Sequence, residues 1–272
     1  MKLILGTVQL GKKYGKFLDK KVSAKETEKI LNFSIKNNIL TFDTAQNYDS
    51  ESILSKVANL NDVKIITKLT IKNKIKTSLD NLNINKIDYL LLHNLNDIYD
   101  KNLENEINDN IDKVGKLGVS VYTCSEALEV LKNKKYKVLQ IPFNFLDTQW
   151  NNIEFLNLVE ENNVEIHIRS IYLQGILIND LKYWPEKSKE IYDKITNFCK
   201  KYKLDKKQLA VKYSKSFHWI NGIVFGVNNL EQLEDTYNLF KNNEGFSDTI
   251  IQELNDLFDD TPLRIKDPRL WL

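Results

Sequence analysis

The sequence contains little cysteine, proline or glycine for its 272 residues. Its two cysteines, Cys124 and Cys199, stand far apart and in no metal-ligand spacing, which excludes a zinc ribbon and a framework of several disulfides. A single bridge between them has no support from the sequence. We therefore expect a reduced, cytoplasmic protein that binds no metal.

Long hydrophobic runs and a strong charge of one sign are also absent. No segment approaches the roughly 20 apolar residues of a membrane-spanning helix, and the apolar run Leu3–Leu5 is too short for a signal-peptide core. The net charge is only +2, so we expect neither a membrane nor a nucleic acid as partner. Arginine is almost missing and occurs only as Arg169, Arg264 and Arg269.

What the sequence does contain is an alternation of short strand-like runs, rich in β-branched residues or leucine, with stretches of helical periodicity. One helical stretch carries Thr27, Ile30 and Leu31 on a single face, with Ser23 as its N-cap, and Ser125 is the predicted cap of another. The eight predicted strands are Leu3–Leu10, Thr41–Ala45, Val63–Leu69, Ile87–His93, Gly118–Tyr122, Val138–Phe143, Val164–Ser170 and Gly222–Val227.

Strands that alternate with helices predict an α/β fold with a parallel sheet. No strand is followed by the Gly-x-Gly-x-x-Gly fingerprint of the open dinucleotide-binding sheet. We also find no linker rich in proline, glycine or serine. The sequence therefore predicts a (β/α)₈ TIM barrel as a single domain over residues 1–272, with 244–272 as a C-terminal helix and tail.

Four ionisable residues lie at or just after the ends of predicted strands two, three and four: Asp43, Tyr48, Lys68 and His93. A free phenol titrates at about pH 10, but a neighbouring ammonium group stabilises the phenolate and lowers the pKa of a phenol. A carboxylate can hold that ammonium group, and a neutral imidazole can orient a carbonyl group. This set predicts a site that protonates a carbonyl oxygen while hydride reaches the carbon.

Each of the four residues also has an ordinary structural interpretation. A lysine or aspartate at a strand end is commonly part of a surface ion pair, a lone histidine is more often a core residue, and a lone tyrosine more often packs. All four at consecutive strand ends are much harder to explain by accident, because barrel enzymes concentrate catalytic residues at that face. The other histidines, His167 and His218, are assigned to structure.

The segment Phe42–Glu51 resembles the signature of the aldo-keto reductases, Asp-Thr-Ala-x-x-Tyr-Gly-x-Ser-Glu in its usual form. Asp49 stands where glycine is usual, and the Ser-Glu pair arrives one residue early. Leu5–Thr7, Ile66–Lys68, Leu91–His93 and Leu139–Asn144 are similar to the first, lysine, histidine and sixth strands of the family. The resemblance implies that Asp43, Tyr48, Lys68 and His93 form the catalytic tetrad.

The resemblance also implies NADPH as cofactor, with NADH as the other possibility. Ser120 and Gln140 match positions that hold the nicotinamide carboxamide, although Val121 stands where asparagine is typical, and Arg169 matches a position that packs on the nicotinamide ring. Residues after strand eight resemble the segment that holds the adenosine phosphate. The implied cofactor-binding residues are Gly6, Thr7, Ser120, Gln140, Arg169, Ser170, Gly226, Asn228 and Gln232.

The phosphate segment contains no basic residue, because Asn228, Asn229 and Gln232 are neutral. Neutral hydrogen bonds are about half as strong as charge-assisted ones, so we predict a preference for NADPH below about 100-fold. Lys212 and Lys215 are the nearby lysines that the sequence offers for the phosphate.

Two other functions remain open at this point: a barrel isomerase or lyase without nicotinamide, and a non-catalytic relative that keeps the cofactor pocket as a regulatory or binding subunit. For a reductase, Tyr14, Asn94 and Trp271 in the predicted mouth loops suit a small polar or sugar-like carbonyl compound. The tail Asp267–Trp271 either closes over the mouth or packs on the side of the barrel. The sequence carries no signal of oligomeric state.

Overall fold

A computed structural model of the protein describes residues 1–15, 20–57 and 59–271. Eight parallel strands pair in sequence order, and the first also pairs with the last, so the sheet closes into a barrel. The strands are β1 (Lys2–Gly6), β2 (Thr41–Asp43), β3 (Lys64–Leu69), β4 (Ile87–Leu92), β5 (Val114–Ser120), β6 (Val138–Pro142), β7 (Glu165–Arg169) and β8 (Ile220–Gly226).

The predicted (β/α)₈ fold is therefore confirmed, with a strand at each predicted position. The predicted extent of the first strand is wrong: β1 ends at Gly6, and the chain then turns into a short helix instead of continuing to Leu10. The reason is local, since the backbone N–H of Leu10 donates to the carbonyl of Thr7, which closes a helical turn.

Within the described residues the helices are α1 (Val8–Gly11), α2 (Ala24–Lys36), α3 (Glu51–Val57), α4 (Ile75–Leu82), α5 (Lys101–Asn108), α6 (Cys124–Leu131), α7 (Ile153–Glu161), α8 (Lys189–Tyr202), α9 (Lys206–Lys215), α10 (Leu230–Asn242), α11 (Asp248–Phe258) and α12 (Leu263–Lys266).

The helix caps follow the sequence in one predicted place and differ in another. Ser23 caps α2 as predicted, because its side chain accepts a hydrogen bond from the backbone N–H of Glu26. Helix α6 begins earlier than predicted: Thr123, not Ser125, is its cap, and Thr123 and Glu126 satisfy each other's backbone N–H groups. This reciprocal capping box outcompetes a cap two residues later, since it satisfies two helix-end donors at once.

Two apolar layers hold the barrel. Inside it, Ile4, Ile66, Leu91, Val138 and Val224 form one buried cluster. Outside it, the strands and surrounding helices share larger buried clusters. Full burial of one aliphatic side chain contributes about 1.5–3 kcal/mol. These layers make a rigid frame that presents the strand ends at one face.

His167, His218 and the C-terminal tail, none of which was assigned to the catalytic site, lie in three different parts of the structure. His167 lies inside the barrel, fully buried, with its Nε2 atom 3.3 Å from a Glu165 carboxylate oxygen, whereas His218 is exposed before β8. The predicted tail forms α11, α12 and a 3₁₀ turn, Pro268–Leu270, and its last residue, Leu272, lies outside the described residues.

Three further findings concern the described residues as a whole. Cys124 and Cys199 are both buried and both free. Among these residues, no group of histidine, cysteine and carboxylate side chains is arranged to hold a metal ion. No helix in the described ranges combines the length and the apolar character that crossing a membrane requires.

Candidate active site

A cavity of about 460 Å³ opens at the carboxyl ends of the strands. Its size is in the range of small-molecule and cofactor sites. Asp43 and Tyr48 line it, while Lys68 and His93 lie next to them and outside its lining. All predicted cofactor-binding residues except Ser120 line this cavity: Gly6, Thr7, Gln140, Arg169, Ser170, Gly226, Asn228 and Gln232.

The floor of the cavity contains a buried ion pair. The Lys68 Nζ atom lies 2.6 Å from Asp43 Oδ1, and the two residues are 2% and 4% exposed. Lys68 also donates to the backbone carbonyl of Thr44 at 3.0 Å, and its Nζ atom lies 5.1 Å from the centre of the Tyr48 ring. Burial lowers the pKa of Lys68, but the adjacent Asp43 carboxylate reverses this and raises it overall. Lys68 is therefore held as a cation beside the phenol.

The backbone around Tyr48 explains two residues of the sequence motif. Tyr48 ends a 3₁₀ turn, Gln46–Tyr48, and Asp49 follows with φ of 61°, a left-handed conformation in which glycine is the usual residue. Gly11 lies directly against this turn, because a Cβ atom on it would come within 1.9 Å of the Tyr48 carbonyl oxygen. The loop after β1 can therefore pack onto the tyrosine turn only with glycine at this position.

The Ser-Glu pair of the motif, Ser50 and Glu51, connects the tyrosine turn to the neighbouring strands by hydrogen bonds. The Ser50 hydroxyl is 2.9 Å from the hydroxyl of Thr7 and 2.8 Å from that of Thr44, which follows Asp43. Glu51 is 2% exposed, and its carboxylate accepts hydrogen bonds from Thr67 of β3 and from Ser78 of α4. These bonds tie the tyrosine turn to the lysine strand, so they position the tetrad.

His93 stands on the other side of Tyr48. The two rings meet edge to face, with their centres 6.1 Å apart. Burial lowers the pKa of His93 to about 4, and the positive charge of Lys68 acts in the same direction. The imidazole is consequently neutral around pH 7, as the predicted role of orienting a carbonyl group requires.

The four residues of the predicted tetrad thus meet in one mouth, and the sequence as a whole fits one family. The model of the Aldo/keto reductase family matches residues 2–258. The chain belongs to the aldo-keto reductase family. It is accordingly an oxidoreductase, of a family that binds NAD(P)H and acts on small-molecule carbonyl compounds.

Solved structures of aldo-keto reductases share the fold of this chain at low sequence identity. An aldo-keto reductase from Bacillus halodurans in its holo form is 16% identical, with a TM-score of 0.75, and the match covers 98% of this chain and 95% of that one. The glycerol dehydrogenase of Gluconobacter oxydans is also 16% identical, with a TM-score of 0.71 and coverage of 98% and 93%. No curated protein sequence matches the chain.

The residues predicted to hold the carboxamide lie close to the predicted tetrad. The Gln140 Nε2 atom donates to Asp43 Oδ2 at 2.7 Å, and no described residue donates to its Oε1 atom. Ser120 is the strand neighbour of Gln140 and is buried, but it does not line the cavity. Val121 is fully buried, and its carbonyl accepts from the guanidinium of Arg169 at 3.3 Å.

Two polar residues that the sequence prediction did not include line the far end of the cavity, toward α10: Lys207 and Asp235, which are paired with each other. Glu26 lies outside this lining, at the start of α10. Its carboxylate accepts from the backbone N–H of Leu230, at 2.7 Å, and this bond lowers the pKa of Glu26.

The two lysines that the sequence offered for the phosphate point elsewhere. Lys212 donates to the carbonyl of Glu244, and Lys215 to the carbonyls at the C-terminal end of α10. Neither residue lines the cavity. Cations are favoured at helix C-termini, which is where these two lysines find their partners.

The loop after β7 forms another wall that periodicity could not reveal. Ser170, Leu173, Gln174 and Gly175 all have positive φ. Within this loop the backbone N–H groups of Leu173 and Gly175 donate to the carbonyls of Ser170 and Tyr172, and these turns shape the wall. Among the described residues, the buried Tyr172 hydroxyl in the same wall has no hydrogen-bond partner, and neither has the buried Oε1 atom of Gln9, which also lines the cavity. These free polar groups fit a polar cofactor in the cavity.

Proposed function

We propose that this protein reduces an aldehyde or ketone to an alcohol with NAD(P)H, and that Tyr48 is the proton donor. One observation carries the proposal: the Lys68–Asp43 ion pair lies buried beside the Tyr48 ring at the floor of the cavity. A buried ion pair costs desolvation free energy that packing with apolar residues would avoid. Its position next to a phenol that faces a cavity gives it a chemical purpose.

The proposed steps assign one task to each residue. A bound nicotinamide cofactor supplies hydride to the carbonyl carbon. Tyr48 Oη transfers its proton to the carbonyl oxygen, and the Lys68 ammonium group stabilises the phenolate that remains until solvent reprotonates it. Asp43 keeps Lys68 protonated and in place. The neutral His93 imidazole donates a hydrogen bond to the carbonyl oxygen and so orients the substrate.

The proposed cofactor contacts follow the length of the cavity. Gln140, through its free Oε1 atom, and Ser120 take the carboxamide, while the loop that begins at Ser170 lies against the central phosphates. Gly6, Thr7 and Gly226 line the wall between the two ends. Asn228 and Gln232 lie at the adenosine end.

NADPH is the proposed cofactor on family grounds, with weak discrimination against NADH. Of the described residues, one lysine lines the adenosine end, Lys207, and Asp235 neutralises it. We expect the two dissociation constants to differ by less than about 100-fold, because the described lining of this end offers the 2′-phosphate no unpaired cation.

Titration of the pure protein with NADPH and NADH, followed by fluorescence, tests the proposal first. Tight binding together with reduction of members of a panel of aldehydes and ketones supports it. Absence of binding would favour a barrel isomerase or lyase. Binding without reduction of any carbonyl compound would favour a regulatory or binding role for the protein.

A further inference from the structure

A second cavity of about 200 Å³ adjoins the first. The two share Tyr14, Arg169, Ser170 and Gln174, so a molecule that reaches Tyr48 borders the second cavity as well. Its remaining walls come from the loops after β5 and β6 and from the C-terminal segment around α12. The tail residues Asp267, Pro268 and Arg269 therefore line this second cavity, beside the mouth.

The charges of the second cavity do not balance. Three cationic side chains line it, Arg169, Lys266 and Arg269, against two carboxylates, Asp147 and Asp267. Arg269 pairs with Asp267 through both of its carboxylate oxygens. Lys266 Nζ lies 3.6 Å from Asp147 Oδ1, and the side chains are only 17% and 6% exposed. Asp267 is thus paired with Arg269, and Asp147 with Lys266.

Arg169 is left without a carboxylate. No residue of the described ranges forms an ion pair with it, although it is partly buried at the boundary of the two cavities. Its guanidinium lies 4.4 Å from the centre of the Tyr122 ring and donates to the Val121 carbonyl at 3.3 Å. These contacts hold the group in place and leave most of its five N–H donors available. Its charge also reaches the tetrad, where it contributes to the lowered pKa of His93.

We propose that Arg169 binds a carboxylate of the substrate, so that the preferred substrates are aldehydes or ketones that also carry a carboxylate group. The inference rests on the proposed function, because it places the reactive carbonyl at Tyr48. A planar guanidinium matches a carboxylate with two parallel hydrogen bonds. Tyr14 supplies aromatic surface for the body of the molecule.

The family resemblance predicts another role for Arg169, packing on the nicotinamide ring. The two roles differ in what they stabilise. A ring contact contributes to cofactor binding and affects all substrates alike, whereas a carboxylate contact affects only substrates that carry the charge. Matched substrates that differ in one group can therefore separate them.

The test compares 4-formylbenzoate with 4-formylbenzamide, and 3-formylbenzoate with 3-formylbenzamide, using wild type and Arg169→Gln. Each pair has the same ring and aldehyde and differs in charge. We expect wild type to favour one of the benzoates over its amide by at least about tenfold in kcat/KM, and Arg169→Gln to lose that ratio. The Kd of the cofactor should stay within about twofold, and Arg169→Lys should retain part of the ratio.

Arg264→Gln is the matched control, since it removes a positive charge from the exposed surface of the same C-terminal segment and does not line the cavity. We expect it to leave the ratio unchanged. An equal loss on benzoate and benzamide together with weaker cofactor binding would overturn the inference in favour of the ring contact. A wild-type ratio near one would overturn it too.

A binding measurement keeps the inference separate from the proposed function. Calorimetry of the protein saturated with the oxidised cofactor should show benzoate binding more tightly than benzamide, and Arg169→Gln should abolish the difference. If no aldehyde is reduced but benzoate binds in this way, the proposed reaction fails and the anion subsite stands. If benzoate and benzamide bind equally, the subsite fails whatever the reaction proves to be.

Discussion

Asp43 and Lys68 show how much a single residue pair determines at this site. The pair is almost completely withdrawn from solvent, and each partner has further bonds, Asp43 from Gln140 and Lys68 to the Thr44 carbonyl. A buried pair of this kind contributes little to stability as a whole, but removal of one partner leaves an uncompensated charge. Its contribution is therefore best seen in substitutions of one residue.

Lys68→Met should abolish carbonyl reduction and lower the free energy of unfolding. The phenol loses the cation that stabilises its phenolate, and Asp43 is left buried with only Gln140 as partner, at a cost of about 3–5 kcal/mol. Urea unfolding and steady-state rates measure the two effects. Lys74→Met is the control, because Lys74 pairs with Glu106 at the surface and is 67% exposed. The free energy of unfolding of Lys74→Met should stay within about 1 kcal/mol of the wild-type value. Retained activity in Lys68→Met would refute the coupling.

Tyr48→Phe should remove carbonyl reduction and keep the cofactor affinity nearly unchanged. The proton donor is lost, at a cost of about 10²–10⁴ in rate, while the ring keeps its edge-to-face contact with His93. Steady-state kinetics and a cofactor titration on the same preparation check this. Tyr99→Phe removes the hydroxyl of an exposed tyrosine and should behave as wild type. If Tyr48→Phe turns over at the wild-type rate, another group is the acid.

At the scale of the elements, the contact between α2 and α10 affects the cofactor site most directly. Glu26, in the first turn of α2, accepts from the first backbone N–H of α10. A helix N-terminus attracts anions, and here a carboxylate of the protein already uses one of its donors. A 2′-phosphate at this end would therefore stand close to the Glu26 carboxylate, which is also paired with Lys29 at 3.2 Å.

Glu26→Gln should raise the affinity for NADPH relative to NADH by roughly two- to fivefold at low salt. The amide oxygen can still accept from Leu230, so the helix contact remains while the charge is lost. Dissociation constants of both cofactors, measured at about 20 mM and about 500 mM salt, would show the change in preference. We expect the change to be larger at the lower salt concentration, because salt screens the charge. Glu28→Gln, on the exposed side of α2, serves as control. A wild-type preference of several thousand-fold for NADPH would contradict this account of the segment.

At the scale of the whole molecule, the half-buried His93 and the fully buried His167 link stability to pH. Burial lowers the pKa of His93 to about 4 and also lowers that of His167, whose Nδ1 atom has no partner. The unfolded chain takes up protons at the ordinary histidine pKa of 6.5, whereas the folded protein does so only at lower pH. The histidine contribution to stability is therefore complete above the unfolded value and is lost progressively as the pH falls toward the folded one.

The urea midpoint should consequently fall between pH 7 and pH 4.5, and His93→Gln should remove part of this slope. His218→Gln is the matched control, because His218 is exposed, and it should keep the wild-type slope. Circular dichroism at a series of pH values provides the midpoints. If the midpoint of His93→Gln falls as steeply with pH as that of wild type, the His93 imidazole of the wild-type protein does not remain neutral in the folded state.

The sequence allowed much of the fold and the membership of the candidate site to be predicted. A local run of apolar residues predicts each strand. The four tetrad residues could be chosen because each stands at or just after such a run: Asp43, Tyr48, Lys68 and His93. The end of β1 was predicted less well, since a hydrogen bond from Leu10 to Thr7 and not composition stops the strand. The cap of α6 differed for a similar reason: several hydroxyl groups competed for one helix end.

The sequence by itself determined the order of strands and helices, and with it the ring of strand ends that carries the tetrad. Only the tertiary structure decided what surrounds that ring. Glu26 and Leu230 are 204 positions apart in the chain, and no local pattern relates them until the barrel closes between α2 and α10. The isolation of Arg169 is likewise a property of the assembled mouth, because it depends on two carboxylates from distant segments that pair with other cations. Periodicity reports which face of an element is buried, whereas charge balance in a cavity depends on all the elements that meet there.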